Sequence, residues 1–198
     1  MIRAIVFDVG RVFVRLNPRP ILELMRERAA DCRDLKSLIA QIELDEHECG
    51  RVSGAGLIER MRALAQLPVT SAELEAKWLD MFELEPDMVE LAQRLAARYR
   101  VYLLSNVGDL HWQHLCRQYE LHRLGHDALP SFVAGVMKPD AAIYRQAEQR
   151  FALEPGATVF IDDRSENVDA ARALGWHGIV HASYADTRTR LRALGVED

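Results

Sequence analysis

Four short stretches, each leaving an apolar run, carry groups that could act together on a phosphoryl centre. They are Asp8 in Phe7-Asp8-Val9-Gly10-Arg11, Ser105-Asn106 after Leu103-Leu104, Lys138 in Met137-Lys138-Pro139, and the pair Asp162-Asp163 after Phe160-Ile161. Phosphoryl transfer needs a nucleophile, donors for the non-bridging oxygens and a cation to offset charge, all meeting at one point. Asp8 offers the nucleophile, while the Ser105 hydroxyl, the Asn106 amide and the Lys138 ammonium offer donors. Adjacent acids at a strand end repel unless a cation or hydrogen bonds offset them, and hard oxygen ligands of this kind suit Mg²⁺. Lys36 and Lys77 are the only other lysines in a chain that draws most of its positive charge from arginine, so a compact ammonium at 138 stands out.

Converging these groups requires strands whose ends share one edge. Residues 2–7, 101–104, 159–161 and 178–180 are nearly continuous in apolar side chains, the pattern of parallel strands covered on both faces. Between them, Met88, Leu91, Ala92 and Leu95 recur at helical spacing after Pro86, and Ile143, Ala147 and Phe151 do so after Pro139. A third helix over about 166–174 stops at Gly175. This alternation predicts an α/β architecture with a parallel sheet. Residues 16–84 break it: Ile21, Leu24, Met25 and Ala29, then Leu57, Met61, Leu64 and Ala65, read as helices with no strand between. The expected organisation is a core of residues 1–15 and 85–198 carrying a helical cap insertion at 16–84, with hinges near Leu16 and at 84–86.

The 198 residues suit one domain, or one domain with an insert. Thirty acidic against 25 basic residues leave a net charge of -5, which argues against a nucleic-acid partner. No apolar run is long enough for a membrane span, and the N-terminus leads straight into a strand, so the expected location is the cytoplasm. Cys32, Cys49 and Cys116 lack C-x-x-C spacing and read as reduced thiols. His111, His114, Cys116, His122 and His126 cluster in sequence, but their spacing fits no tight zinc pattern, and structural zinc is not expected. The run Arg188-Thr189-Arg190-Leu191-Arg192 reads as the solvated side of a terminal helix.

In order and spread, the four stretches resemble the motifs of the haloacid dehalogenase (HAD) superfamily. Asp8-Val9-Gly10, Ser105-Asn106, Met137-Lys138-Pro139 and the run from Phe160 to Asn167 look most like the branch with bacterial sugar-1-phosphate phosphatases and the epoxide hydrolase N-terminal phosphatase domain. The resemblance implies a HAD-like Rossmannoid three-layer core with an inserted α-helical cap. It implies a Mg²⁺-dependent phosphomonoesterase of a small phosphorylated metabolite, with sugar phosphates the leading class. Asp8 would form an aspartyl-phosphate, and Ser105, Asn106 and Lys138 would hold the phosphoryl oxygens. Mg²⁺ would be bound by Asp8, the carbonyl of Gly10 and Asp163, with Asp162 acting directly or through water and Asn167 supporting that shell. Lys138 would also keep Asp8 ionised.

One departure stands out. The family usually places a second Asp two residues after the nucleophile, as the acid for the leaving group, and here that position is Gly10. Such acid-base help is typically worth ~10² to 10⁴ in rate. Asp109, His111 and His114 read first as residues that cap or flank a helix; as replacement acids they are the candidates, with His111 ahead of the other two. Arg11 stands where glycine or asparagine is common. The alternatives to a phosphatase are a metal-independent 2-haloacid dehalogenase, which Asp162-Asp163 disfavours, and a non-catalytic phosphate- or partner-binding protein.

Overall fold

A computed structural model describes residues 1–28, 34–66 and 68–197. Along the chain come β1 (Ala4–Phe7), β2 (Val14–Leu16), helices α1 (Arg19–Arg28), α2 (Leu35–Ile42), α3 (Leu44–Glu48), α4 (Gly54–Leu64) and α5 (Ser71–Leu79), then β3 (Phe82–Leu84) and α6 (Pro86–Ala96). The rest alternates: β4 (Arg100–Ser105), α7 (Asp109–Tyr119), β5 (Asp127–Pro130), the short α8 (Ser131–Ala134), α9 (Ala141–Phe151), β6 (Thr158–Asp162), α10 (Ser165–Ala173), β7 (His177–Val180) and α11 (Tyr184–Ala193). The expected reduced state of Cys32 and helical place of Ala29 lie outside the described residues.

Five strands form a parallel sheet in the order β5-β4-β1-β6-β7. Side chains alternate along β1, so its two faces feed two separate cores. Ile5 and Phe7 pack with Leu103, Ile161 and the apolar faces of α6 and α7, while Ala4 and Val6 pack with Leu104, Phe160 and those of α9 and α10. Helices on both faces of the sheet make this an α/β Rossmannoid fold. Phe7 is level with Leu103 on one side and with Ile161 on the other. That register brings the residues just past β1, β4 and β6 to one edge, at the point where the strand order reverses and ligands commonly bind.

Helices α1 to α5 enclose an apolar cluster of their own, centred on Ile21, Met25, Leu38, Leu57, Met61 and Trp78. The sequence pattern left out two features of this region. An antiparallel ribbon joins its ends, with Val14 opposite Leu84 and Leu16 opposite Phe82. It also holds three helices that the apolar spacing did not mark, α2, α3 and α5. Both ribbon strands are only three residues long, too short for an alternation to register.

Because Ile5 is fully buried in the central strand, Ile5→Ala is expected to lower folding stability by ~2–5 kcal/mol. Urea unfolding checks this, and an unchanged midpoint would contradict the packing described.

Candidate active site

Lys138 reaches the sheet edge from the loop before α9, and its side chain is almost completely enclosed. Its Nζ donates to Asp8 Oδ1 at 2.7 Å, to Asp162 Oδ2 at 2.7 Å and to the carbonyl of Leu104 at 2.8 Å. An ammonium has three protons, and here each has an acceptor on a different strand end. Burial alone would lower the Lys138 pKa, but the charges of Asp8 and Asp162 overcome it and hold the pKa above its usual value. The loop itself is fixed by Asn106, whose side chain donates to the Lys138 carbonyl at 2.9 Å and accepts from the Lys138 N–H at 2.8 Å.

The three acids differ in what they have left to give. Asp162 is fully buried, and its carboxylate accepts from Arg164 N–H at 2.8 Å, Asn167 Nδ2 at 3.1 and 3.0 Å, and Lys138. Both of its oxygens are thus committed to protein donors. Asp163 is the more open of the pair, and among the described residues its ion pair is with the Arg11 guanidinium at 3.7 Å. Burial and Asp162 raise its pKa above the carboxylate norm, while Arg11 and Lys138 pull the other way. Asp8, Asp162 and Asp163 each bring an oxygen within 4.8 Å of the others. Three carboxylates face one ammonium, and this hard-oxygen, net-negative cluster fits a divalent cation.

Burial pushes the Asp8 carboxyl up to about 6; Lys138 lowers the value, and Asp162 adds to the rise. Lys138 thus favours the charged form of Asp8, against a larger rise from desolvation. Gly10 lies in a tight loop just past β1. Its neighbour Arg11 takes the left-handed conformation, φ 56°, and Val9 closes the loop by accepting from the N–H groups of Phe13 and Val14 at 2.9 and 3.3 Å. A Cβ at position 10 would have one neighbour within 4 Å, Asp8 Oδ2 at 3.8 Å. Space beside the Asp8 carboxylate thus exists at the position where the family usually carries a second acid.

Ser105, at the end of β4, is buried, and its hydroxyl makes no hydrogen bond to any described residue, so it can serve a ligand. Asn106 has a positioning role as well, since one of its amide protons and its Oδ1 bond the Lys138 backbone. A cleft of about 560 Å³ opens next to Arg11 and Asp163, lined also by Glu85, His181 and Tyr184.

The favoured replacement acid, His111, is a core residue. Its ring stacks on Trp78 with centroids 4.9 Å apart and meets the edge of Phe82 at 4.8 Å. Burial first, then the nearby His47, push its pKa down to about 3, so it holds no proton to give at neutral pH. Asp109 faces His47 at 3.6 Å, and His114 packs near Phe82 with its pKa lowered by burial. Sequence reasoning missed three residues that bind α3 to this edge: Ser131, Gly108 and His47. The Ser131 hydroxyl accepts from Val107 N–H at 2.9 Å and donates to the carbonyl of Glu48 at 2.6 Å. A Cβ on Gly108 would overlap the buried His47 imidazole, so only glycine lets the two segments approach. No local pattern announces contacts between segments this far apart.

A Rossmannoid sheet whose edge gathers a buried aspartate, a lysine and an acidic pair defines a hydrolase of the haloacid dehalogenase type. Residues 2–175 match the haloacid dehalogenase-like hydrolase family, and the chain belongs to it. It is 25% identical to a sesquiterpene phosphatase of Aspergillus oryzae over 97% of this chain and 96% of that one. It is 26% identical to a D-ribitol-5-phosphate phosphatase of Bacteroides thetaiotaomicron over 98% of each. The magnesium complex of a HAD family enzyme from B. thetaiotaomicron superposes with a TM-score of 0.84 at 23% identity, covering 96% of this chain and 98% of that one.

Two outcomes follow from this geometry. Lys138→Met leaves two buried carboxylates facing each other and is expected to cost ~3–5 kcal/mol of stability near neutral pH; a thermal midpoint equal to the wild type would contradict the pairing. Folding also excludes a proton that an unfolded histidine binds below its ordinary value of 6.5. The stability contributed by neutral His111 is fully present above that pH and lost as pH falls towards 3. His111→Phe should therefore show a shallower fall in melting temperature between pH 6.5 and about 4, and a slope identical to the wild type would contradict its burial as the neutral form.

Proposed function

We propose that the protein hydrolyses the phosphomonoester of a small metabolite, with sugar and polyol phosphates as the leading class. The observation that carries this is the buried Lys138 ammonium shared by Asp8 and Asp162, with Asp163 alongside. It orients Asp8 Oδ1 at the rim while the remaining Asp8 oxygen, on the Gly10 side, stays near the acidic cluster. Asp8 attacks phosphorus, the leaving oxygen departs with the bonding electrons, and water then cleaves the aspartyl-phosphate. Ser105 holds a non-bridging oxygen, the Lys138 charge offsets that of the phosphoryl group, and Asn106 holds Lys138.

Asp8, Asp163 and the carbonyl of Gly10 are the groups that would hold Mg²⁺, with Asp162 behind them. Bound there, the cation supplies neutralising charge for the phosphoryl oxygens. Both full-length relatives are named as phosphatases, one for D-ribitol 5-phosphate and one for a sesquiterpene, which supports phosphoric monoesters as the substrate class. We read residues 16–84 as a cap over the sheet edge that chooses the leaving group. Its ends meet in the β2-β3 ribbon, and its own apolar cluster supports this reading. Among the described residues no helix is long and apolar enough to cross a membrane.

A panel of sugar, polyol and terpenyl phosphates assayed with Mg²⁺ tests the reading. Phosphate release that EDTA stops, Mg²⁺ restores and Asp8→Asn reduces to background is expected. Folded protein that releases no phosphate from any member, or that frees halide from 2-haloacids in EDTA, would overturn it.

A further inference from the structure

In-line displacement places the leaving oxygen on the far side of phosphorus from Asp8, away from the sheet and towards whatever covers it. Position 10 has no side chain to meet that oxygen, and His111 is locked in an apolar stack. The C-terminal end of α3 is seated beside that edge. Three contacts seat it: the Ser131 hydroxyl on the Glu48 carbonyl, the His47 ring on Gly108, and Gly50, φ 73°, against the backbone of Phe132. Between His47 and Gly50 the chain carries Glu48, whose side chain has no hydrogen bond or ion pair with any described residue. The charges that act on its carboxyl are Asp45 from its own helix and Asp8, Lys138 and Arg164 from the sheet edge.

We propose that Glu48 is the general acid of this enzyme, protonating the leaving oxygen from the cap in place of the acid that the chain lacks at Gly10. Burial first, then the charges of Asp45 and Asp8, push its carboxyl up to about 7, which outweighs the lowering by Lys138 and Arg164 and keeps a proton available near neutrality. In the first half-reaction an Asp8 oxygen forms its bond to phosphorus. The phosphorus-to-oxygen bond of the ester breaks, its electron pair stays on the leaving oxygen, and the Glu48 proton moves there to give a neutral alcohol. In the second, water adds to phosphorus and gives a proton to the Glu48 carboxylate. The bond to Asp8 breaks with its electrons returning to the carboxylate, and both residues are regenerated.

The inference rests on the phosphatase reading and is tested separately from it by varying the leaving group. An aryl phosphate such as p-nitrophenyl phosphate leaves well without a proton, whereas an alkyl phosphate does not. Glu48→Gln keeps the size of the side chain and removes the acid. It should lower kcat/KM for the alkyl ester by ~10² or more, and by at least about tenfold more than for the aryl ester. Equal losses on both esters, or none on either, would overturn the role of Glu48 while leaving the phosphatase reading intact. Wild-type protein that hydrolyses neither ester nor any metabolite of the panel overturns both. Glu48→Asp, which keeps an acid on a shorter arm, provides the second variant: it should recover part of the alkyl-ester rate, and recovery no better than Glu48→Gln counts against the proposal.

Discussion

The structure depends on one ammonium placed between two carboxylates. Lys138 is buried between Asp8 and Asp162 and donates to both, and its third proton goes to a main-chain carbonyl of β4. Removing such charges from water is expensive, and the expense is offset only when every donor and acceptor is matched. Here the match is complete for Lys138 and Asp162, so these two are the frame. Asp8 shares only one side-chain donor, Lys138, among the described residues, and that asymmetry leaves its carboxylate the less committed of the two. The parallel register of β4, β1 and β6 is what makes the arrangement possible, since a slip of one residue would turn Asp8 or Asp162 to the opposite face of the sheet.

A second constraint joins the helical segment to this edge. Ser131 serves the Val107 backbone and the Glu48 carbonyl with one hydroxyl, so the loop that follows Ser105 and the end of α3 share a single anchor. Trp78 on His111 and His47 over Gly108 add packing between the same two regions. Residues that look in sequence like spare acid-base groups are used there as core. The consequence is chemical: a histidine with its pKa driven to about 3 is a spacer, and proton donation falls to a carboxyl in a less apolar place.

Much of this was legible in the residues alone. The runs that became β1, β4, β6 and β7 are apolar on both faces because helices cover both sides of the sheet. Asp8, Lys138 and the acidic pair could be read because each follows such a run or opens a helix. The edge strand β5 was not legible: Asp127-Ala128-Leu129-Pro130 is short, opens on an acid, closes on a proline and is paired on one side only, so its apolar run is too brief to mark it. The β2-β3 ribbon lacked length, and α3 lacked periodicity. That Asn106 also fixes the Lys138 loop was not legible, because a side chain at a strand end can face a ligand or a neighbouring loop equally well. Ser131, Gly108 and Glu48 carry no local mark, since what places them is contact between segments distant in the chain.

The most direct measurement of the central claim is to quench turnover of a phosphate ester with acid and map where the phosphoryl group lies. The account predicts one added phosphoryl group on the peptide that contains Asp8, at the Asp8 side chain, and none after Asp8→Asn. Steady phosphate release with that peptide unmodified, or with the label on another residue, would contradict it.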